Sequence, residues 1–289
     1  MKYIIVSVNK VGGRVGSDTN SLFVYFELGW EMATTYLLCR RMYKEGKITQ
    51  DDVIVTQKDR MFLYQSIFNN VISYDEYLTV EDNVEKIDLV EKVQGNCKNE
   101  FNLCYFGDYY TSNSDENREY KYYNEDKDII IDFKKCDVDN LHKNEKYITF
   151  AIRKRDHASW RNISDEWSVK LINRLKDNIN IFVVGKDVER FCDNEKVKHV
   201  TLQEYTTLCN NPLCVANIGP LSGIMYLPSF FSNAKHNIIF DVLGGGDVMN
   251  GYNSGHPLYL AKCVRYSKSN FIIDKRDADD IANFILKEI

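Results

Sequence analysis

The sequence predicts an α/β protein built as two Rossmann-like domains facing a cleft. Three observations carry this. Short β-branched apolar runs alternate with longer amphipathic segments over most of the 289 residues, the pattern of parallel strands covered by helices. The alternation occurs twice, on either side of a polar, tyrosine-rich stretch at 107–146. Several apolar runs end in glycine turns that open a helical segment, and open parallel sheets bind ligands at such strand ends.

In the first half, Tyr3–Val8 reads as a buried strand, followed by a loop with Gly12, Gly13 and Gly16 and a long helical pattern from about Thr19 to Tyr43. Asp52–Thr56 reads as a second strand and Arg60–Phe68 as a helix, with shorter strands at Val71–Ser73 and Asn102–Phe106. The second half repeats the plan. Tyr147–Ile152 is a strand, and Ser164 caps a helix through Leu175 with Asp165 and Glu166 in its first turn, where carboxylates suit the positive end of the helix dipole. Strands are expected at Ile181–Val184, His199–Leu202, Leu213–Asn217, Asn237–Val242 and Phe271–Ile273, and helices from Gln203, over Ser222–Phe231 and over Ala278–Leu286. The domain boundary is placed at 140/141, giving domains 1–140 and 141–289.

Composition narrows the function. Hydrophobic residues make up 44% and charged residues 27%, an ordinary globular balance. A net charge of −5 argues against nucleic acid held by general electrostatics, which needs a basic surface. The eight cysteines (Cys39, Cys97, Cys104, Cys136, Cys192, Cys209, Cys214, Cys263) form no CxxC pair, and none has a zinc-like His/Cys group beside it. They read as free thiols of a reducing compartment. No apolar run approaches the roughly 20 residues of a membrane span. A cytoplasmic protein without a transmembrane segment is expected.

The candidate site residues follow the strands. After the first strand come Gly12, Gly13, Arg14, Gly16, Ser17 and Asp18. The spacing is not GxGxxG, so a nicotinamide fingerprint is not supported. Asp18 reads either as a helix N-cap or as a general base aimed into the cleft. After Tyr147–Ile152 come Arg153, Lys154, Arg155 and Arg161, four cations within nine residues, which suit an anion better than a solvated face because they start at a strand end. Gly185-Lys186 follows the next strand, and Gly219-Pro220-Leu221-Ser222-Gly223 opens a further helix as a second anion cradle. Gly244-Gly245-Gly246-Asp247, with Asn250, Asn253 and His256 nearby, reads either as a loop closing over a ligand or as plain surface. Asp137-Val138-Asp139 matches a metal-binding DxD by letter but lies in the polar stretch, so no metal site is assigned.

Trp160-Arg161-Asn162 leading into a helix with Trp167, the Val184-Gly185 turn, and Asn217 through Ser222-Gly223-Ile224-Met225 resemble GT-B glycosyltransferases, most closely the heptosyltransferase family. The resemblance is best over about 147–242. It implies transfer of a sugar from a nucleotide-diphosphate donor to a glycan acceptor, with no metal and no cofactor beyond the donor substrate. Asp18 then matches the family's catalytic aspartate, Arg161 its donor-phosphate cation, and Ser222-Gly223 its phosphate-binding helix start. Donor binding falls to Arg153, Arg155, Arg161, Gly185, Lys186, Gly219, Ser222 and Gly223, and acceptor binding to the loop of Gly12, Gly13 and Gly16. Leu221 and Tyr226 stand where the family usually has an acid and a histidine. A sugar-nucleotide epimerase, a pyruvyl transferase and a non-catalytic glycan- or nucleotide-binding protein remain alternatives on the same scaffold.

Overall fold

The structure, a computed structural model, describes residues 1–8, 28–33, 35–80, 83–90, 131–154, 162–220, 222–240, 270–274 and 277–289. The chain divides into two compact units, Met1–Lys134 and Lys135–Ile289, each with its own all-parallel sheet.

In the first unit the order along the chain is β1 (Tyr3–Ile5), α1 (Leu28–Ala33), α2 (Thr35–Lys44), β2 (Val53–Thr56), β3 (Asn70–Ser73), α3 (Tyr74–Tyr77) and β4 (Lys86–Asp88). The sheet runs β3-β2-β1-β4. Every residue of β2 is buried, as expected of a parallel strand covered on both faces. The helical pattern expected over Thr19–Tyr43 is present from Leu28 onward; its first residues lie outside those described, as does the strand expected at Asn102–Phe106. The helix expected at Arg60–Phe68 is instead a 3-10 turn, Lys58–Leu63, followed by tight turns. Its carbonyls are diverted: that of Phe62 accepts the Lys134 N–H at 2.8 Å, and that of Leu63 accepts the buried Arg40 guanidinium. Strand β4 went unanticipated because a single apolar residue, Ile87, between two charges carries almost no period. Helix α3 is set by a capping box, Ser73 with Glu76.

The second unit begins with α4 (Asp139–His142) and continues β5 (Tyr147–Ile152), α5 (Asp165–Leu175), β6 (Asn180–Gly185), β7 (Val197–His199), α6 (Leu202–Cys209), β8 (Cys214–Pro220), α7 (Tyr226–Phe231), β9 (His236–Phe240), β10 (Asn270–Asp274) and α8 (Ala278–Leu286). The sheet order β10-β9-β8-β5-β6-β7 is that of a six-stranded Rossmann fold. Ile148, Phe150 and Ile152 alternate onto one face and pack with Leu171, Ile172 and Leu175 of α5 and Ile281 and Ile285 of α8. The opposite face is partly polar. Thr149 donates to the Asn217 side-chain oxygen at 2.5 Å, and Asn217 donates to Ser232 at 2.8 Å and to Asn237 at 2.7 Å. These buried bonds tie three neighbouring strands to the end of α7. The strand expected at His199–Leu202 lies earlier, because Thr201 and Glu204 form the capping box of α6 and take its backbone out of the ladder. The helix expected over Ser222–Phe231 starts as a 3-10 turn, Gly223–Met225. Asp137 accepts the Asp139 N–H at 3.0 Å as a local turn bond. Among the described residues no three His, Cys, Asp or Glu side chains gather to hold a metal, and no helix is long and apolar enough to cross a membrane.

Candidate functional site

In the second unit the strand order reverses between β5 and β8. Helices there leave to opposite faces, so the crevice beyond those strand ends is where a doubly wound sheet receives a ligand. The described site residues line this edge on three adjacent strands. Arg153 follows β5, Gly185 closes β6 with Lys186 beyond it, and Gly219 lies near the end of β8, ahead of Ser222 and Gly223.

Each has a distinct local cause. Arg153 is only 6% exposed, and its Nη1 donates to the Asn162 side-chain oxygen at 2.5 Å, which fixes the guanidinium just past the strand. Gly185 has φ 148°, and a Cβ there would lie 2.2 Å from the Ile152 carbonyl oxygen. Only glycine lets β6 end this close to β5. A Cβ on Gly219 would meet the Met225 sulfur at 2.6 Å and the Ala151 Cβ at 3.0 Å, so this glycine lets the turn after β8 fold back onto the sheet. Lys186 is exposed. Lys154 lies 3.8 Å from Asp165, which also takes Arg190 at 2.5 Å. Asp165 and Arg190 therefore join the starts of the segments after β5 and β6, a tie that their separation in sequence hides.

Ser222 differs from the other serine, threonine and aspartate caps among the described residues. Ser73, Ser164, Thr201 and Asp277 each accept a backbone N–H of the helix they precede. Ser222 makes no such bond, although its backbone is extended like theirs. Its hydroxyl is buried and has no hydrogen-bond partner among the described residues. A buried hydroxyl without a partner is costly and is expected where a ligand is to be met.

The corresponding edge of the first unit carries a buried ionic cluster that sequence reading missed. Glu31 of α1 is fully buried. Its Oε2 receives Arg60 Nη1 at 2.7 Å, and its Oε1 receives Thr56 Oγ1 at 2.9 Å and Tyr64 OH at 2.8 Å. Burial first, and then the neighbouring Glu31, hold the Tyr64 phenol well above its ordinary pKa, so it stays a donor. The only sequence signal was an acid and a cation inside otherwise apolar segments. The buried thiols are poor nucleophiles: burial pushes both Cys39 and Cys209 up to about 12. Gly12, Gly13, Gly16, Asp18, Arg155, Arg161 and the loop of Gly244 to Asp247 lie outside the described residues.

No protein-family model matches the sequence. No curated protein matches it either. Solved structures do match in fold. E. coli heptosyltransferase WaaC, solved with ADP-2-deoxy-2-fluoro heptose, is 12% identical with a TM-score of 0.51, over 100% of both chains. E. coli ADP-heptose LPS heptosyltransferase II is 11% identical with a TM-score of 0.51, covering 100% of this chain and 97% of that one. A family 9 glycosyl transferase from Veillonella parvula is 9% identical with a TM-score of 0.50, covering 100% and 90%. Over its whole length the chain shares the fold of these glycosyltransferases, the same fold to which its strand-end motifs pointed.

Proposed function

We propose that the protein is a glycosyltransferase that moves a sugar from a nucleotide-diphosphate sugar to a glycan acceptor, without a metal ion and with inversion at the anomeric carbon. The observation that carries this reading is the second unit's strand-reversal edge, where a buried arginine, two steric glycines and a buried serine hydroxyl with no partner among the described residues lie together. Structural neighbours of the same fold bind an ADP-sugar analogue or take their name from ADP-heptose. Residues 141–289 bind the donor. Arg153, Arg155, Arg161 and Lys186 offset the diphosphate charge, while Ser222 and the backbone at Gly223 donate to phosphate oxygens. Residues 1–140 bind the acceptor, with the loop of Gly12, Gly13 and Gly16 against it.

Asp18 is the base in this reading. The acceptor hydroxyl gives its proton to the Asp18 carboxylate as its oxygen bonds to the anomeric carbon. The carbon–oxygen bond to the diphosphate breaks on the opposite side, and the electron pair leaves with the diphosphate, whose growing charge the cations stabilise. Two measurements test this. Thermal shift against UDP-, GDP-, ADP- and CMP-sugars should show stabilisation by one of them, since a ligand of the folded state raises its stability. Nucleoside diphosphate release should then require acceptor, and Asp18→Asn should keep donor affinity while losing at least about 10²-fold in kcat. Full activity in Asp18→Asn would reduce the residue to a helix cap.

A further inference from the structure

Arg153 follows the last residue of β5 and is only 6% exposed. Its Nη1 donates to the side-chain oxygen of the half-buried Asn162 at 2.5 Å, across nine residues of sequence. The amide has to present its oxygen here, because its NH2 group would set donor against donor. Both ends of the bond are anchored. Arg153 extends from a strand whose Ile152 pairs with Gly185 of β6. Asn162 precedes Ile163, which packs into the core of the second unit. Next comes Ser164, whose hydroxyl accepts the Trp167 N–H at 3.1 Å and caps α5. The start of α5 therefore delivers the amide to the end of β5.

The residue type matters as much as the place. A carboxylate holds a guanidinium more strongly than an amide does, and Glu31 holds the buried Arg60 that way in the first unit, at 2.7 Å. A carboxylate also offsets the charge it binds. A neutral amide fixes a guanidinium through a weaker bond and offsets none of its charge. An arginine kept in one rotamer has already lost the side-chain freedom that meeting an anion would otherwise take from it. Fixed orientation with undiminished charge suits an arginine that receives an anion, and it brings no advantage to one that only fills a core.

We infer that Asn162 is a positioning residue for the donor diphosphate: it holds Arg153 in its binding orientation by a bond that leaves the arginine's charge whole. The inference rests on the donor reading of Arg153 under Proposed function. Asn162→Asp tests it, because it keeps the shape and the accepting oxygen but adds the offsetting charge. Titration calorimetry with the 5′-diphosphates of uridine, guanosine, adenosine, cytidine and thymidine identifies the nucleotide that wild type binds. Urea melts without nucleotide read the fold. Asn162→Asp should keep at least the wild-type urea midpoint, since its bond to Arg153 is charge-assisted. It should bind the same nucleotide at least about tenfold more weakly, since a carboxylate then faces the diphosphate beside the arginine. Asn162→Ala, which removes the oxygen, should bind it at least about threefold more weakly, because Arg153 must then be ordered on binding. In an Arg153→Met background Asn162→Ala should cost no further affinity, since no guanidinium is left to hold. Three results each overturn the inference: wild-type affinity in Asn162→Asp, a loss of affinity matched by a fallen urea midpoint, or an equal loss from Asn162→Ala in both backgrounds. If Asn162→Asp does not fold, Asn162→Ala and its double variant decide by the same readouts. A wild-type protein that binds none of the nucleotides sinks the proposed function and this inference with it, whereas any of the three results in a protein that does bind one strikes the inference alone.

Discussion

Replacing Ser222 by alanine should change the stability of the ligand-free protein and its affinity for donor in opposite directions. The Ser222 hydroxyl is buried, makes no cap bond and has no partner among the described residues. Truncating a working serine cap costs about 0.5–2 kcal/mol, but here no such bond is lost. A buried hydroxyl without a partner carries a penalty of about 1–3 kcal/mol, part of which alanine relieves. The expected gain in unfolding free energy is therefore about 1 kcal/mol, or roughly 2–4 °C in Tm for a domain of this size. In the bound state the same hydroxyl would donate to a phosphate oxygen, a charge-assisted bond of about 1.5–3 kcal/mol. Its loss should weaken donor binding about 10- to 100-fold. Urea melts without nucleotide, paired with titration calorimetry against the donor found by thermal shift, measure both sides. A variant that is less stable without ligand, or that binds donor as tightly as wild type, refutes the reasoning.

Gly185→Ala should destabilise the protein by at least about 2 kcal/mol, because φ is +148° and the new Cβ would sit 2.2 Å from the Ile152 carbonyl oxygen. The urea midpoint should fall with the slope unchanged, whereas an unaltered midpoint would mean the two strand ends separate freely. Asp52 links stability to pH. Burial alone would raise its carboxyl, but the Thr49 and Lys2 N–H groups, at 2.8 and 2.7 Å, hold it below the usual carboxylate range. A depressed folded pKa means the unfolded chain takes up the proton first, so this contribution is complete above about pH 4 and fades as pH falls through the folded value. Urea melts should show wild type exceeding Asp52→Asn most at neutral pH, with the gap closing below about pH 4; a constant gap would refute the linkage.

Much of the second unit was legible because its elements are long and periodic. Tyr147–Ile152, Asp165–Leu175 and Ala278–Leu286 stand where the apolar pattern and the cap Ser164 put them, and the structure adds Asp277 as the cap of the last helix. Local chemistry sets such segments: β-branched runs bury on both faces, and an oxygen three residues before an N–H caps a helix. The placing of Arg153, Gly185 and Gly219 at strand ends followed from the same reading. The 3-10 turn at Lys58–Leu63 and the strand at Lys86–Asp88 escaped it, since one is shaped by bonds to Arg40 and Lys134 and the other by pairing with β1.

By itself the sequence determined that this chain forms parallel α/β layers, because strand and helix periods are written residue by residue. Only the tertiary structure decided which strands are neighbours, and so where the order reverses between β5 and β8. It also decided that Glu31 meets Arg60, residues far apart in sequence whose pairing no local pattern encodes. The same holds for Ser222, whose missing cap bond appears only once the turn after β8 has closed against the sheet. Periodicity is local and survives in one dimension, whereas pairing, burial and an unsatisfied hydroxyl are properties of residues brought together from a distance.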